Sequence, residues 1–538
     1  MAPMMVRKDP DQLMKTTLQR IMLAWPLVIF LLCPALTRAE TVVQAWVQRY
    51  NGPGNGLDEA CALAVDGSNN VIVAGYSMGS GSSFDYMTIK YSSAGAPLWT
   101  NRYNGPVNGG DYAFAVAVDG SNNVIVTGQS NGSGSVFDYT TIKYSSAGVP
   151  LWTNRYDGPA SGSDRPCAVA VDGNNDVIVT GSSPASGSGF DYATIKYSSA
   201  GEPLWTNRYT GPGTYNDLPV AVAVDGNNDV IVTGSSFSSP SMMSSDYATI
   251  KYSSAGVPLW TNFYNGPVNG SDMANAVAVD GNNNVIVTGE SAGGGSGSDY
   301  ATIKYSSAGV PLWTNRYNDG SAYALAVDGS NNVIVAGVSS GSASSGDYTT
   351  IKYSSAGAPL WTNFYNGPGN GDDEAVAVAV DHSGNVIVMG YSARTNTYPY
   401  NYDYATIKYS SAGAPLWTNL YNGPGNGDDE PLALALDHCN NVIVTGFATV
   451  SGGSFDFATI KYICVPSPVL IGLQPTNGPF QLRVDGVLQP GTLVIEASTN
   501  LAGWVPVLTN TTPTNVLFYT DPDAGNSPAR FYRAFQFP

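Results

Sequence analysis

The stretch WTNRYNGPVNGGDYAFAVAVDGSNNVIVTGQSNGSGSVFDYTTIKYSSAG, residues 99–148, decides the fold, because it recurs with small changes eight times between Trp46 and Tyr462. Its tryptophans are Trp46, Trp99, Trp152, Trp205, Trp260, Trp313, Trp361 and Trp417, spaced by 53, 53, 53, 55, 53, 48 and 56 residues. A period of this size belongs to propellers and solenoids, whose units bury their apolar faces against one another. Within the stretch, Leu98–Tyr103, Ala113–Val118, Val124–Thr127 and Tyr139–Tyr144 are rich in Val, Ile, Thr, Tyr and Trp and lie between Gly, Asn, Ser and Pro clusters. That is strand chemistry. Asp119-Gly120-Ser121-Asn122-Asn123 and Ser145-Ser146-Ala147-Gly148 have the length and composition of hairpin turns. Four antiparallel strands repeated eight times, with no helical period, predict an all-β, eight-bladed β-propeller. A β-solenoid is the alternative, with coils usually shorter than these units.

The phase of the repeat predicts how the ring closes. With Ala-Val-Ala-Val as the inner strand A, its small alanines suit a crowded axis. Val-Ile-Val-Thr is then B, Tyr-x-Thr-Ile-Lys-Tyr is C and Leu-Trp-Thr-Asn-Arg-Tyr is D. The last A, B and C runs, from Leu432 to Tyr462, have no D after them, and the first D-like run, Trp46–Tyr50, has no blade before it. The N-terminal run therefore completes the eighth blade, leaving only short, protected edges.

Val-Ile-Val-Thr-Gly, Asp-Tyr-x-Thr-Ile-Lys-Tyr, Ser-Ala-Gly-x-Pro-Leu-Trp and Ala-Val-Asp-Gly resemble the bacterial β-propeller repeat family called SBBP. The resemblance runs from Trp46 to Tyr462, about four fifths of the chain. It implies a propeller fold and no common activity.

The N-terminus carries Lys15, Arg20, an apolar run from Ile21 to Leu36, and Thr37-Arg38-Ala39. This predicts a secretory signal over residues 1–39, cleaved after Ala39, with either Met1 or Met14 as the start. Leu32 before Cys33 does not fit a lipoprotein cleavage box, and no later stretch has the length and apolarity of a transmembrane helix. The expected location is secreted, periplasmic or cell-surface. Only 12% of residues are charged and the formal net charge is −18; removal of residues 1–39 takes away five Lys/Arg and two Asp and leaves about −21. Such a chain lacks the clustered cations that nucleic acid requires. Its charge is read as a solubility device.

The propeller is expected over residues 40–464. Residues 465–538 read as a small β-sandwich-like module, with strands near Phe480–Val484, Thr492–Ala497, Val505–Leu508, Val516–Tyr519 and Arg530–Phe535 and turns at Gln489-Pro490-Gly491 and Asp521-Pro522-Asp523. Ile495–Leu501, Trp504 and Arg530-Phe531-Tyr532-Arg533 resemble C-terminal modules of secreted bacterial proteins, which implies attachment, sorting or an accessory role. Cys61 and Cys167 occupy equivalent strand positions held elsewhere by Phe114, Val220, Tyr323 and Val376, and are read as apolar substitutes. Cys439 and Cys464 should emerge at the same end of the eighth blade, where a disulfide between them would pin it.

Catalytic signatures are missing from the sequence. His382 and His438 follow the A-strand Asp in blades 7 and 8, and neither has a partner at metal-ligand spacing. They read as turn residues. Asp58, Asp111, Asp164, Asp217, Asp272, Asp373 and Asp429 open strand A in seven blades, with Gly320 in the short sixth. One copy per blade favours a structural role, each Asp accepting hydrogen bonds from its own loop, over an acidic cation-binding ring. Asp85 and Lys90 of the first Asp-Tyr-x-Thr-Ile-Lys-Tyr are architectural for the same reason. Asp172–Asp176 and Asp225–Asp229 place oxygens as calcium loops do, but Val177 and Val230 stand where such a loop needs Gly. No metal and no cofactor are expected.

Function confined to one place must break the repeat. The largest departure is the B–C loop of blade 7, residues Ser392–Tyr402, where Arg394, Tyr398, Tyr400 and Tyr402 replace the usual Gly and Ser. Tyrosine gives rigid apolar area with a polar tip. By strand direction this loop shares a face with the D–A loops carrying Asp372-Asp373-Glu374 and Asp428-Asp429-Glu430. Arg394, Tyr398, Tyr400, Tyr402, Asp373 and Asp429 are therefore the candidate ligand contacts, in the residue mixture carbohydrate sites use. Near-identity of the blades favours a non-catalytic binding or scaffold module for a glycan or protein partner at the cell surface. The alternatives are a glycan-active propeller enzyme with paired carboxylates, or a structural envelope or matrix protein.

Overall fold

A computed structural model describes residues 40–538 except 82, 133–136, 161, 186–187, 214, 239–243, 295–296, 341–345, 396–400, 467–468, 474–479, 486–491, 501–502, 512–515, 525–529 and 538. The described residues form strands and turns, with no α-helix and so none long and apolar enough to cross a membrane. Strand β1 (Glu40–Tyr50) is followed by β2 (Asp58–Val65), β3 (Val71–Met78), β4 (Phe84–Tyr91) and β5 (Pro97–Tyr103). The last four make an antiparallel sheet in the order β2-β3-β4-β5, here sheet 1. Six more four-stranded sheets follow, opening at Asp111, Arg165, Asp217, Asp272, Gly320 and Asp373. In sheet 8, Asp429–Leu436, Val442–Thr449 and Phe455–Pro466 are joined on the outer edge by β1. Residues Gln44–Cys464 form one compact unit.

The register explains the composition. Strand B lies in mid-sheet with both faces covered, and Val71, Ile72 and Val73 are 0% exposed, as are their counterparts in every sheet. Each such side chain contributes about 1.5–3 kcal/mol on burial. The cores lie between sheets. Ile72, Ala74 and Tyr86 of sheet 1 pack with Ala113, Val124, Val126, Ile142 and Tyr144 of sheet 2, and Ile443 and Phe457 of sheet 8 pack with Ala60, Val71, Val73 and Ile89 of sheet 1.

Polar clasps recur at the same seams. The Tyr86 hydroxyl donates to Thr140 O of the next sheet at 3.0 Å, and Trp99 Nε1 donates to Ser146 O at 3.1 Å. Gly148, at φ 83°, must be glycine twice over, since a Cβ there would meet Trp99 Cγ at 2.7 Å. Each A–B turn is closed by its own aspartate. Asp66 Oδ1 accepts from Ser68 N and Asn70 N at 2.8 and 2.9 Å. Its Oδ2 pairs with Lys90 at 2.7 Å. Equivalent buried Lys–Asp pairs occur in all eight sheets, from Lys143–Asp119 at 2.9 Å to Lys461–Asp437 at 2.8 Å. In Asp172–Asp176 and Asp225–Asp229, Lys196 and Lys251 each reach both carboxylates, so an ammonium occupies the centre of each calcium-like loop.

In seven of the eight turns a left-handed asparagine clasps the preceding sheet. Asn122 Oδ1 accepts from Gly67 N at 2.8 Å. His438 N donates to Asn69 Oδ1 at 2.9 Å, from sheet 8 to sheet 1. The two histidines sit in these clasps, with the Nδ1 of His382 and of His438 2.5 and 2.7 Å from Asn440 and Asn69 Oδ1. Gly384 replaces the asparagine in sheet 7, and a cavity of about 610 Å³ lies there between sheets 6 and 7.

The expected Cys439–Cys464 bridge is not formed, and none of Cys61, Cys167, Cys439 and Cys464 is in a disulfide. Cys439 is exposed on its turn, whereas Cys464 replaces the hairpin serine that earlier sheets offer to a neighbouring lysine, and its sulfur lies 3.8 Å from Lys408 Nζ. The two side chains serve different surroundings. Cys61 and Cys167 are half-buried, and burial pushes the Cys167 thiol up to about 12.

Residues Val465–Pro538 contain two three-stranded sheets, Val469–Leu473, Gln481–Asp485 and Val516–Thr520 in one, and Val505–Asn510, Thr492–Ser498 and Phe531–Phe537 in the other. Leu482, Val484, Leu493 and Ile495 form a core drawn from both, the packing of a small sandwich.

Candidate functional site

The repeat aspartates are buried, at 0% exposure for Asp58, Asp111, Asp164, Asp272, Asp373 and Asp429. Each accepts from the glycine of its own D–A loop, as Gly367 N does to Asp373 Oδ2 at 2.7 Å and Gly423 N to Asp429 Oδ2 at 2.5 Å. Burial pushes Asp429 up to about 6, against hydrogen bonds from Gly423 and Thr449. Asp373 and Asp429, expected as ligand contacts, thus shape loops instead.

Arg394 is likewise committed to the fold. The D strands of sheets 1, 2, 3 and 5 carry an arginine that pairs with the first aspartate of strand C: Arg102–Asp85, Arg155–Asp138, Arg208–Asp191 and Arg316–Asp299, at 2.7 to 3.1 Å. Sheet 7 has Leu420 in that position, and Arg394 enters from the B–C loop to bond Asp403 at 2.7 Å. It also donates to Asn422 Oδ1 at 2.8 Å and Gly427 O at 3.0 Å, binding its loop to the next D–A loop. Tyr402 stacks edge-on against Tyr391 at 4.9 Å. Tyr398 and Tyr400 lie outside the described residues.

The register position beside the buried aspartate is one of those at which the sheets differ. Strand A there carries Glu59, Tyr112, Arg165, Leu218, Met273, Ser321, Glu374 and Glu430 in sheets 1 to 8. The facing strand B residues are Tyr76, Gln129, Ser182, Ser235, Glu290, Val338, Tyr391 and Phe447. Sheets 7, 8 and 1 thus bring three half-buried glutamates together. Burial raises Glu430, and the like charges of Asp428, Glu59 and Glu374 raise it further. Tyr76 donates to Glu59 Oε2 at 2.5 Å. Burial raises Glu374, partly countered by a hydrogen bond from Tyr391. Glu290 accepts from Ser321 Oγ at 2.8 Å.

Aromatic rings flank these carboxylates. Tyr76, Phe84 and Tyr112 lie mutually 5.1 to 5.4 Å apart, and Phe137 is 6.0 Å from Tyr112. Phe447 and Phe455 are 4.6 Å apart. Half-buried carboxylates edged by rings offer acceptors and apolar faces together, the chemistry that fits polyhydroxylated or cationic ligands. Asp138, Asp157 and Asp164 also have oxygens within 4.8 Å of one another. Arg155 already pairs with Asp138 at 2.8 Å, and Gly158 N donates to Asp164 Oδ2 at 3.0 Å.

No family model matches the sequence, and no curated protein matches it. Among solved structures, a eukaryotic initiation factor is similar at 8% identity and a TM-score of 0.35, covering 72% of this chain and 89% of its own. A puromycin hydrolase is similar at 9% identity and a TM-score of 0.42, covering 73% of this chain and 58% of its own. A protein of unknown function from Dyadobacter fermentans gives 10% identity and 0.36, over 79% and 99%.

Proposed function

We propose that this chain is an exported, non-catalytic binding module of the SBBP kind, built as a closed eight-bladed β-propeller, that holds a glycan on the face bearing its B–C and D–A loops. Closure is supported by β1 in sheet 8 and by the contacts from sheet 8 to sheet 1. The observation that carries the binding role is the gathering of Glu59, Glu374 and Glu430 from three sheets among aromatic rings. The carboxylates come from three near-identical sheets and are edged by rings, a spread that recognition of an extended ligand accounts for more simply than turnover.

The test is a glycan array probed with residues 40–538 and with Glu374→Gln and Glu430→Gln variants. Selective binding that falls roughly tenfold or more in both variants, as loss of charge-assisted hydrogen bonds would give, supports the reading. Glycan cleavage by the parent chain, abolished in Glu430→Gln, would replace it with the enzyme reading. Absence of glycan binding would turn the search to protein partners at the cell surface.

A further inference from the structure

We propose that the cavity between sheets 5 and 6 is a receptor for a guanidinium group supplied from outside the chain. The inference does not depend on the glycan reading. It rests on how the protein satisfies its own arginines.

Arg102 shows the pattern. Its guanidinium donates to Asp85 Oδ2 at 2.8 Å, to Ser77 Oγ at 2.8 Å, to Ser77 O at 3.2 Å and to Met78 O at 3.1 Å. Arg208 repeats this arrangement, Arg155 and Arg316 keep the carboxylate, the serine hydroxyl and one of the two carbonyls, and all three also reach the tyrosine that ends the preceding D strand, Arg316 to Tyr264 at 2.8 Å. The acceptor set is thus a carboxylate, a serine hydroxyl, two successive carbonyls and a phenol, arrayed around a planar fork of donors.

Sheet 6 keeps the acceptors and lacks the arginine. By register the equivalents are Asp347, Ser339, the carbonyls of Ser339 and Ser340, and Tyr317, while Phe364 stands where the arginine would be. Phe364 is 57% exposed and supplies no donor. The D-strand arginines of the other sheets bond Oδ2 of the equivalent aspartate, and Oδ1 is left over even beside Arg208; in sheet 6 neither oxygen of Asp347 has an ion pair or hydrogen bond among the described residues.

The same spot is open to solvent because of the short sixth repeat. In the other seven sheets eight positions separate the D-strand tyrosine from the buried aspartate, as from Tyr264 to Asp272, whereas Gly320 follows Tyr317 by three. The shortened loop, Asn318-Asp319, leaves a cavity of about 650 Å³ lined by Tyr317, Ser339, Ser340, Asp347 and Phe364. Arg316 forms another wall, with its own guanidinium held by Asp299 at 2.7 Å and Ser291 Oγ at 2.5 Å. Sheet 4 makes the same replacement, Phe263 with Asp246, under a D–A loop of full length. Sheet 7 shows that the acceptors take a guanidinium arriving by another route, since Arg394 reaches Asp403 from the B–C loop.

The guanidinium can come from a small molecule or from an arginine side chain of a partner polypeptide. Calorimetric titration of residues 40–538 with Nα-acetyl-arginine methylamide, its lysine counterpart and a capped Gly-Arg-Gly peptide tests the site. Saturable binding of both arginine probes is expected, with the lysine probe roughly tenfold weaker because a point charge cannot fill the planar acceptor set. Tighter binding of the peptide would mark the source as a polypeptide, and equal binding would mark it as a small guanidinium compound. Asp347→Asn should abolish binding. Phe364→Arg should also abolish it, by filling the site from within, while raising the melting temperature. That second variant keeps the test valid if the first folds poorly. Absence of saturable binding by either arginine probe, or binding left intact by Phe364→Arg, would overturn the proposal.

Discussion

Asp456 shows how a single buried carboxylate can set a pH dependence. It is 7% exposed, and burial pushes it up to about 6, reinforced by the charge of Asp58 and eased by Arg49. A folded-state value above the unfolded one, about 3.9, means that the ionised group opposes folding at neutral pH. That opposition fades as pH falls from about 7 towards 4. Asp456→Asn should therefore gain up to about 3 kcal/mol at pH 7.5 and little near pH 4, as denaturant titrations at the two pH values would show. The turn aspartates act in the opposite sense. Burial alone would raise Asp66, but hydrogen bonds from Lys90 and Asn70 hold it below the usual carboxylate range, as their counterparts do for Asp119, Asp280 and Asp437. Their stabilisation is in place above the unfolded value and is lost as pH falls through the lower folded one. An equal gain at both pH values in Asp456→Asn would show that folding leaves the carboxyl unshifted.

Strands and loops exchange duties in sheet 7, where Arg394 does for Asp403 what a D-strand arginine does for Asp85. Arg394→Ala should cost about 3 kcal/mol, because it leaves a largely buried carboxylate without its counter-charge. Leu420→Arg should restore most of that loss from the strand side, and the double-mutant cycle should show strong coupling. If the second substitution restores nothing, Arg394 owes its effect to the D–A loop contacts with Asn422 and Gly427. The same exchange explains what the sequence disclosed. Strand positions were legible because Val, Ile and Tyr at period two, punctuated by Asp-Gly and Ala-Gly turns, leave one reading. Leu98–Tyr103 was expected and Pro97–Tyr103 is observed. Val469–Leu473 escaped notice because a lone five-residue run lacks a repeat to frame it. At the candidate site, Arg394 looked like a ligand contact because its partner, nine residues along the chain, is fixed by register rather than by local pattern. Glu59 and Glu290 were overlooked because their meaning appears only when all eight copies are compared at one register. The conserved Asp next to Glu59 drew the eye for the reason that makes it structural.

At the scale of the whole molecule, a tandem array differs from a closed one by a single seam, so the seam is where cooperativity is decided. In the proposed ring the seam falls to β1, the strand of sheet 8 drawn from the other end of the chain. Trp46 Nε1 donates to Ser93 O at 3.2 Å, Arg49 donates to the Tyr421 hydroxyl at 2.6 Å, and the Tyr50 and Phe457 rings meet at 5.7 Å. The other regular clasps thin out beside it, since Trp417 Nε1 is buried without a hydrogen-bond partner where earlier tryptophans find a serine carbonyl. Loss of β1 would remove the Trp46 and Tyr50 packing, about 3–5 kcal/mol for each large aromatic side chain, and would bare the Phe455–Pro466 strand as an open edge. Open edges recruit other chains. A chain starting at residue 51 should therefore unfold in more than one calorimetric step and elute as oligomers, and a synthetic peptide of residues 40–50 should return it to one step and to monomer. A single transition at the parent temperature, without the peptide, would mean that sheets 8 and 1 hold each other through the His438–Asn69 clasp and the shared Ile443 and Phe457 core, and that β1 is an accessory to a seam already closed.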